Sequence, residues 1–244
     1  MNAIKGFVGL LVGCCVVAGV GAQTLAAYTE EWAPYNFQQG QLVKGISADL
    51  LRESCEAARL RCNLQLMPWA RANKLVRGTP NTVLFTTARK PDRENDFLWV
   101  GPILPRTTWV YVRPEIAAAN VRELKTLRFG IVRDEAAQRD LLKAGVPPGA
   151  MVEDSSNTAI LRLMLSGVVD AMVDTEVAMA WSVRNSGLDA ATVVKHVKLT
   201  DEGAYYFALN LQSDPAVVER LQTALDKLRR QGRVEALVRR YTQK

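Results

Sequence analysis

Two side chains of opposite charge stand just past strand-like runs, where a chain can present them to a small molecule. Arg93 lies in a polar loop, Arg89 to Asp96, after the short apolar run Thr82 to Thr86. A guanidinium is a planar fork of N–H donors that pairs bidentately with a carboxylate. Arg89 competes for that task from the same loop, and either is equally a solvated arginine among Lys90, Asp92, Glu94 and Asp96. Asp174 directly follows the apolar run Val168 to Val173, where an acid is costly without a partner. It can meet a cation, or cap the helix expected over Thr175 to Asn185. Trp32 and Trp69 also follow expected strands, and their rings offer stacking and cation–π attraction or simply fill core. Arg71, near the start of the helix after Trp69, and the hydroxyls of Thr86 and Thr87 are further donors.

Other chemistries find less support. The single histidine, His196, sits in a strand pattern and makes no metal site, and no Cys/His cluster has ligand spacing. No Gly-rich phosphate loop or GxSxG turn is present. A Ser-His-Asp arrangement would have to use His196, with nothing nearby to suggest it. General acid–base chemistry would rest on Glu30, Glu31 and Glu135, the loop carboxylates that can be nominated. The formal charge of +6, from 31 basic and 25 acidic residues, is dispersed. The densest basic stretch, Lys227 to Lys244, interleaves with leucines at helical spacing and reads as an amphipathic surface helix. A nucleic-acid surface would want interleaved aromatics. No cofactor and no nucleic-acid partner are expected.

The elements that would position these residues alternate. Strands are expected at Leu25 to Tyr28, Cys62 to Leu66, Thr82 to Thr86, Thr107 to Arg113, Leu127 to Val132, Val168 to Val173, Val193 to Leu199 and Tyr205 to Leu211. Helices are expected at Ser47 to Ala58 with Ser47 as cap, Ala70 to Arg77, Ala136 to Ala144, Ser155 to Ser166, Thr175 to Asn185, Pro215 to Gly232 and Arg233 to Tyr241. Such alternation predicts an α/β fold of mainly parallel sheet, with ligands bound beyond the carboxyl ends of strands.

The N-terminus reads as an export signal. Lys5 supplies the positive charge, Gly6 to Gly19 is apolar but short for a membrane span, and cleavage is expected after Ala22. A lipoprotein site at Cys14 ranks second, because the apolar run continues past it. Cys55 and Cys62 remain as an even pair in an oxidising compartment, where a disulfide is favoured over two buried thiols. They can meet only if the helix ends between them.

The segments Tyr28-Thr29-Glu30-Glu31-Trp32-Ala33-Pro34-Tyr35, Gly45 to Leu50, Pro91-Asp92-Arg93 with Phe97 and Trp99, Gly167 to Asp174 and a basic tail ending at Tyr241 occur in one order. In that order they resemble the family 3 periplasmic solute-binding proteins, the polar amino-acid receptors of ABC importers, over nearly the whole mature chain. The resemblance implies the two-lobed type II periplasmic-binding-protein fold, with lobes joined by two crossing strands that close like a hinge. It implies a first lobe of 23–107 plus 206–244, a second of 108–205, and crossings near Thr107 to Val112 and Gly203 to Phe207. Arg93 resembles the family arginine for a ligand α-carboxylate, Asp174 its aspartate for the α-ammonium, and Trp32 and Trp69 its sandwiching rings. The Cys55/Cys62 spacing is similar to a disulfide in the family. Ala88 and Ala136 depart from it, standing where hydroxyl or amide donors to the carboxylate are common. Ser47 takes the place of an acid in receptors for basic amino acids, and with several arginines argues against a basic ligand. The implied partners are a small polar ligand, an amino acid or organic acid, and a membrane permease, with the protein a periplasmic monomer. Alternatives are a dehydratase-like enzyme and a receptor that presents ligand to a membrane sensor.

Overall fold

Every apolar run read as a strand enters one of two five-stranded sheets. The computed structural model describes residues 23–119 and 123–242. The expected signal segment, with Lys5 and Cys14, lies outside the described residues. The first sheet contains β1 (Thr24–Thr29), β4 (Arg61–Leu66), β5 (Thr82–Ala88), β6 (Leu98–Pro105) and β12 (Ala204–Leu209), in the order β4-β1-β5-β12-β6. The second contains β7 (Thr108–Val112), β8 (Phe129–Val132), β9 (Met151–Asp154), β10 (Ala171–Asp174) and β11 (Val194–Thr200), in the order β11-β7-β10-β8-β9. A small hairpin pairs β2 (Phe37–Gln39) with β3 (Leu42–Lys44). The helices are α1 (Ile46–Ala57), α2 (Trp69–Gly78), α3 (Pro114–Ala118), α4 (Ala136–Lys143), α5 (Asn157–Leu165), α6 (Glu176–Asn185), α7 (Pro215–Arg230) and α8 (Arg233–Thr242).

Both sheets are mixed rather than mainly parallel. β1 runs parallel to β4 and β5, while β12 is antiparallel to β5 and β6. β8 runs parallel to β9 and β10, while β7 is antiparallel to β10 and β11. The antiparallel members are those that carry the chain between lobes, β6 into β7 and β11 into β12. No helix intervenes there to return the chain in the same direction. The links are short, Arg106-Thr107 and 201–203, so β7 lies wholly in the second sheet and β12 wholly in the first. β6 escapes sequence reading because Gly101, Pro102 and Pro105 interrupt it. Proline is tolerated there because β6 is an edge strand.

Each lobe has its own core. Leu25, Ile46, Leu50, Phe85, Phe207 and Leu221 fill the first, and Val110, Val112, Phe129, Ile131 and Leu141 the second. A third apolar cluster runs from Trp69 and Leu84 in the first lobe to Val132 and Ile160 in the second. α1 starts one residue earlier than expected, and Gly45, not Ser47, is its cap. Gly45 has φ +124°, and a Cβ there would lie 2.4 Å from the Tyr35 carbonyl oxygen, so glycine is required. The Gly45 N–H donates to the Tyr241 hydroxyl at 3.1 Å, which donates to Asp49 at 2.5 Å. The last helix thereby ties down the start of α1. Ser47 is left inside the first turn, its hydroxyl buried without a partner.

α1 ends at Ala57 and β4 begins at Arg61, which lets Cys55 and Cys62 join in a disulfide with Cα atoms 6.1 Å apart. Protein alkylated without reduction should show no free thiol by mass spectrometry, and two alkylated cysteines would contradict the bridge. Replacing both cysteines by serine should lower the urea unfolding free energy by about 2–3 kcal/mol, the chain-entropy value for so short a loop.

Candidate functional site

The two lobes are closed on each other, and strand ends from both face one cavity. From the first lobe come Glu30 and Trp32 after β1, Thr86 and Ala88 on β5, and Trp69 at the start of α2. Arg93 joins them from a 3-10 turn, Pro91–Asp96, within the expected polar loop. From the second come Glu135 and Ala136 at the start of α4, and Asp174 at the end of β10. Arg106 and Thr108 lie at one crossing and Tyr205 beside the other. The closed lobes leave about 30 Å³ free, room for roughly two waters.

Polar contacts hold the closure. Trp32 Nε1 donates to Asp174 Oδ1 at 3.1 Å, and the hydroxyls of Tyr35 and Thr175 meet at 3.0 Å. Trp69 Nε1 donates to the Asp134 carbonyl at 3.1 Å. Asp140 on α4 accepts from both Lys90 and Arg106, and Arg139 pairs with Asp92 at 2.6 Å. Trp32 also packs against Tyr35 and Tyr205, ring centroids 4.5 and 5.4 Å apart.

The cavity's charges do not balance. Arg93 is 4% exposed, with its guanidinium 5.9 Å from the centre of the Trp69 ring. Among the described residues that guanidinium makes no hydrogen bond or ion pair. Arg106 is as deeply buried, but Asp140 neutralises it. Three carboxyls face the same space. Burial pushes Asp174 up to about 7, against the Thr175 N–H and Trp32 indole N–H that it accepts. Burial and then the Asp174 charge push Glu135 up to about 8, with Arg106 pulling the other way. Burial, Glu135 and Asp174 together raise Glu30 well above the carboxylate range. Asp174 does not cap α6, because the Thr175 hydroxyl takes that role, accepting from the Ala178 N–H at 3.1 Å.

Of the residues expected at the site, Trp32, Trp69, Thr86, Arg93 and Asp174 line this cavity, and Arg71, Thr87 and Arg89 do not. Arg89 continues outward from β5, forms a two-pronged pair with Glu94 and lies over the rings of Trp99 and Tyr206. Arg71 is exposed, because α2 turns Trp69, Ala72 and Val76 inward. Thr87 alternates to the opposite face and donates to the Leu84 carbonyl at 3.0 Å. Thr86 has φ +60°, rare for a β-branched residue. It sits in a bulge where Phe85 and Thr86 face the single residue Phe207 of β12. Bulges of this kind re-aim side chains next to sites, and Thr86 and Ala88 both reach the cavity. Ala88 and Ala136 bring methyls where donors were expected. Ser47 does not line the cavity, Glu31 is exposed, and His196 lies on β11, the edge of the second sheet. Arg106, Thr108 and Tyr205 were not read from the sequence. Their nearness to the crossings was the available signal.

The three raised carboxyls predict a pH-dependent cleft. A carboxyl raised in the closed form favours closure while protonated and opposes it once ionised. Without ligand, closure should be most favoured below about pH 4 and lost progressively as pH rises to about 7–8. Small-angle scattering should give a larger radius of gyration at about pH 8.5 than at about pH 5.5, and an equal radius would contradict this.

The sequence matches the family described as bacterial extracellular solute-binding proteins, family 3, over residues 25–244. No curated protein matches it significantly. Among solved structures, an ancestral arginine-binding protein bound to arginine superposes with TM-score 0.78 at 15% identity, covering 89% of this chain and 97% of that one. A histidine kinase sensor domain with similarity to periplasmic binding proteins gives 0.80 at 20%, covering 90% and 96%. The arginine-, lysine-, histidine-binding protein ArtJ from Geobacillus stearothermophilus gives 0.77 at 16%, covering 91% and 96%. Likeness at this identity shows the two-lobed fold.

Proposed function

The chain belongs to family 3 of the bacterial extracellular solute-binding proteins, and from that premise we propose that it captures a small zwitterion, an amino acid or a close relative, by hinge closure in the periplasm and hands it to the permease of an ABC importer. One observation carries the reading. Arg93 in the first lobe and Asp174 in the second face one cavity, the first with no hydrogen bond or ion pair among the described residues and the second with one oxygen uncommitted. A carboxylate on Arg93 and an ammonium on Asp174 would bridge the lobes and hold them shut. Trp32 and Trp69 wall the ligand between them. Arg89 is already paired with Glu94 and is not needed.

A thermal-shift screen over amino acids and organic acids finds the ligand, since binding at a hundredfold excess over Kd stabilises by about 2.7 kcal/mol. Calorimetric titration then tests the grip. Truncating one partner of a desolvated charge pair costs about 2–5 kcal/mol, so Arg93→Ala and Asp174→Ala should each weaken binding on that scale. Arg93→Lys should fail as well, because a point charge does not replace the fork. Arg89→Ala should bind normally. Wild-type affinity in Arg93→Ala would contradict the assignment.

A second reading has the protein present its ligand to a membrane sensor, and the likeness to a histidine kinase sensor domain favours it. Neighbouring genes for a permease and an ATPase would support import, and a neighbouring sensor kinase would support signalling. A dehydratase-like enzyme would need Glu30 or Glu135 as general acid or base. Recovery of bound ligand unchanged after long incubation would exclude it.

A further inference from the structure

A simple zwitterion leaves this cavity unbalanced. Its carboxylate answers Arg93 and its ammonium answers Asp174, and two acids remain. Glu30 follows β1 in the first lobe, and Glu135 precedes α4 in the second. Neither side chain makes a hydrogen bond or ion pair among the described residues. Glu30 is 5% exposed, and its Oε2 is buried with no hydrogen-bond partner. Glu135 occupies the cap position of α4, but its side chain caps nothing.

Glu30 is also held in place. Asn36 Nδ2 donates to the Glu30 carbonyl at 2.6 Å, and Asn36 Oδ1 accepts from the Thr86 hydroxyl at 2.6 Å. The Thr86 hydroxyl and the Glu30 backbone carbonyl are thus held by one side-chain amide. Arg106 answers these acids only in part, because it draws the Glu135 pKa down but gives its hydrogen bond to Asp140. Two like charges brought together by closure repel, and each needs a proton or a cation.

Resting on the zwitterion reading above, we propose that Glu30 and Glu135 are the specificity determinants of this site, receiving a second cationic group of the ligand from opposite lobes. The cleft then selects amino acids of net charge +1 over neutral and acidic ones. The cation sits where closure would otherwise press the two acids together, so its presence is what permits closure with both ionised. The arginines that argued against a basic ligand in the sequence are accounted for. Arg71 is exposed, Arg89 is paired with Glu94, and Arg106 is paired with Asp140. An acid at Ser47 is not needed, since the acids come from elsewhere.

The test is a charge series of similar length, L-ornithine, L-glutamine and L-glutamate, titrated by calorimetry at about pH 7.5, where Arg93 and the ligand groups are charged. A charge-assisted hydrogen bond predicts that L-ornithine binds roughly ten- to hundredfold tighter than L-glutamine, with L-glutamate weakest. In Glu30→Gln/Glu135→Gln the preference for L-ornithine over L-glutamine should collapse to within a few-fold. An unliganded melting temperature close to wild type shows that the variant is folded, and the wild-type series alone decides if it is not. L-glutamine or L-glutamate binding wild type as tightly as L-ornithine would overturn the assignment, as would a response to none of the three. Only the failure of every amino acid in the wider screen would reach the zwitterion reading beneath it.

Discussion

A buried guanidinium, Arg93, that pairs with no carboxylate among the described residues sets the character of this molecule. Arg93 is sealed under Trp69 with no carboxylate of its own, while three carboxyls crowd the other walls of the same space. Isolated buried charge is among the most unfavourable arrangements in a folded protein. On the hinge opening proposed above, the lobes that bury it would part and let water reach these groups. Closed, they need a partner that brings the missing charges, and that requirement makes the fold a receptor.

The topology makes the parting possible. Each sheet keeps its own core, and the chain passes between sheets only through Arg106-Thr107 and 201–203. Both links emerge beside the cavity, with Arg106 and Tyr205 in its wall. Movement at the links therefore changes the cavity directly. The closed cleft is held by the apolar cluster that runs from Trp69 and Leu84 to Val132 and Ile160, and by polar pairs, chiefly Trp32 with Asp174, Tyr35 with Thr175, and Asp140 with Lys90 and Arg106. A ligand shifts the population by its differential affinity for the closed form.

Much of the framework was legible because strand runs and helix periods are local signals. The residues at strand ends, Trp32, Arg93 and Asp174, were legible for the same reason. The choice between Arg89 and Arg93 was not, since both follow one strand. A 3-10 turn swings Arg93 inward while Arg89 leaves with β5 toward Glu94. Arg71 could have been excluded from its phase on α2, where Trp69, Ala72 and Val76 mark the buried face. The bulge that turns Thr86 and Ala88 to the cavity depends on pairing with β12, more than a hundred residues away. No local pattern carries that. Glu30 and Glu135 were visible as acids, but their meeting across the cleft is a property of the closed fold.

The most direct test is a crystal structure of the protein with the amino acid that stabilises it most. The account predicts the ligand between Trp32 and Trp69, its carboxylate forked by Arg93 and its ammonium on Asp174. A ligand seated in the cleft with its carboxylate on another residue, or with Arg93 still unpaired, would contradict it.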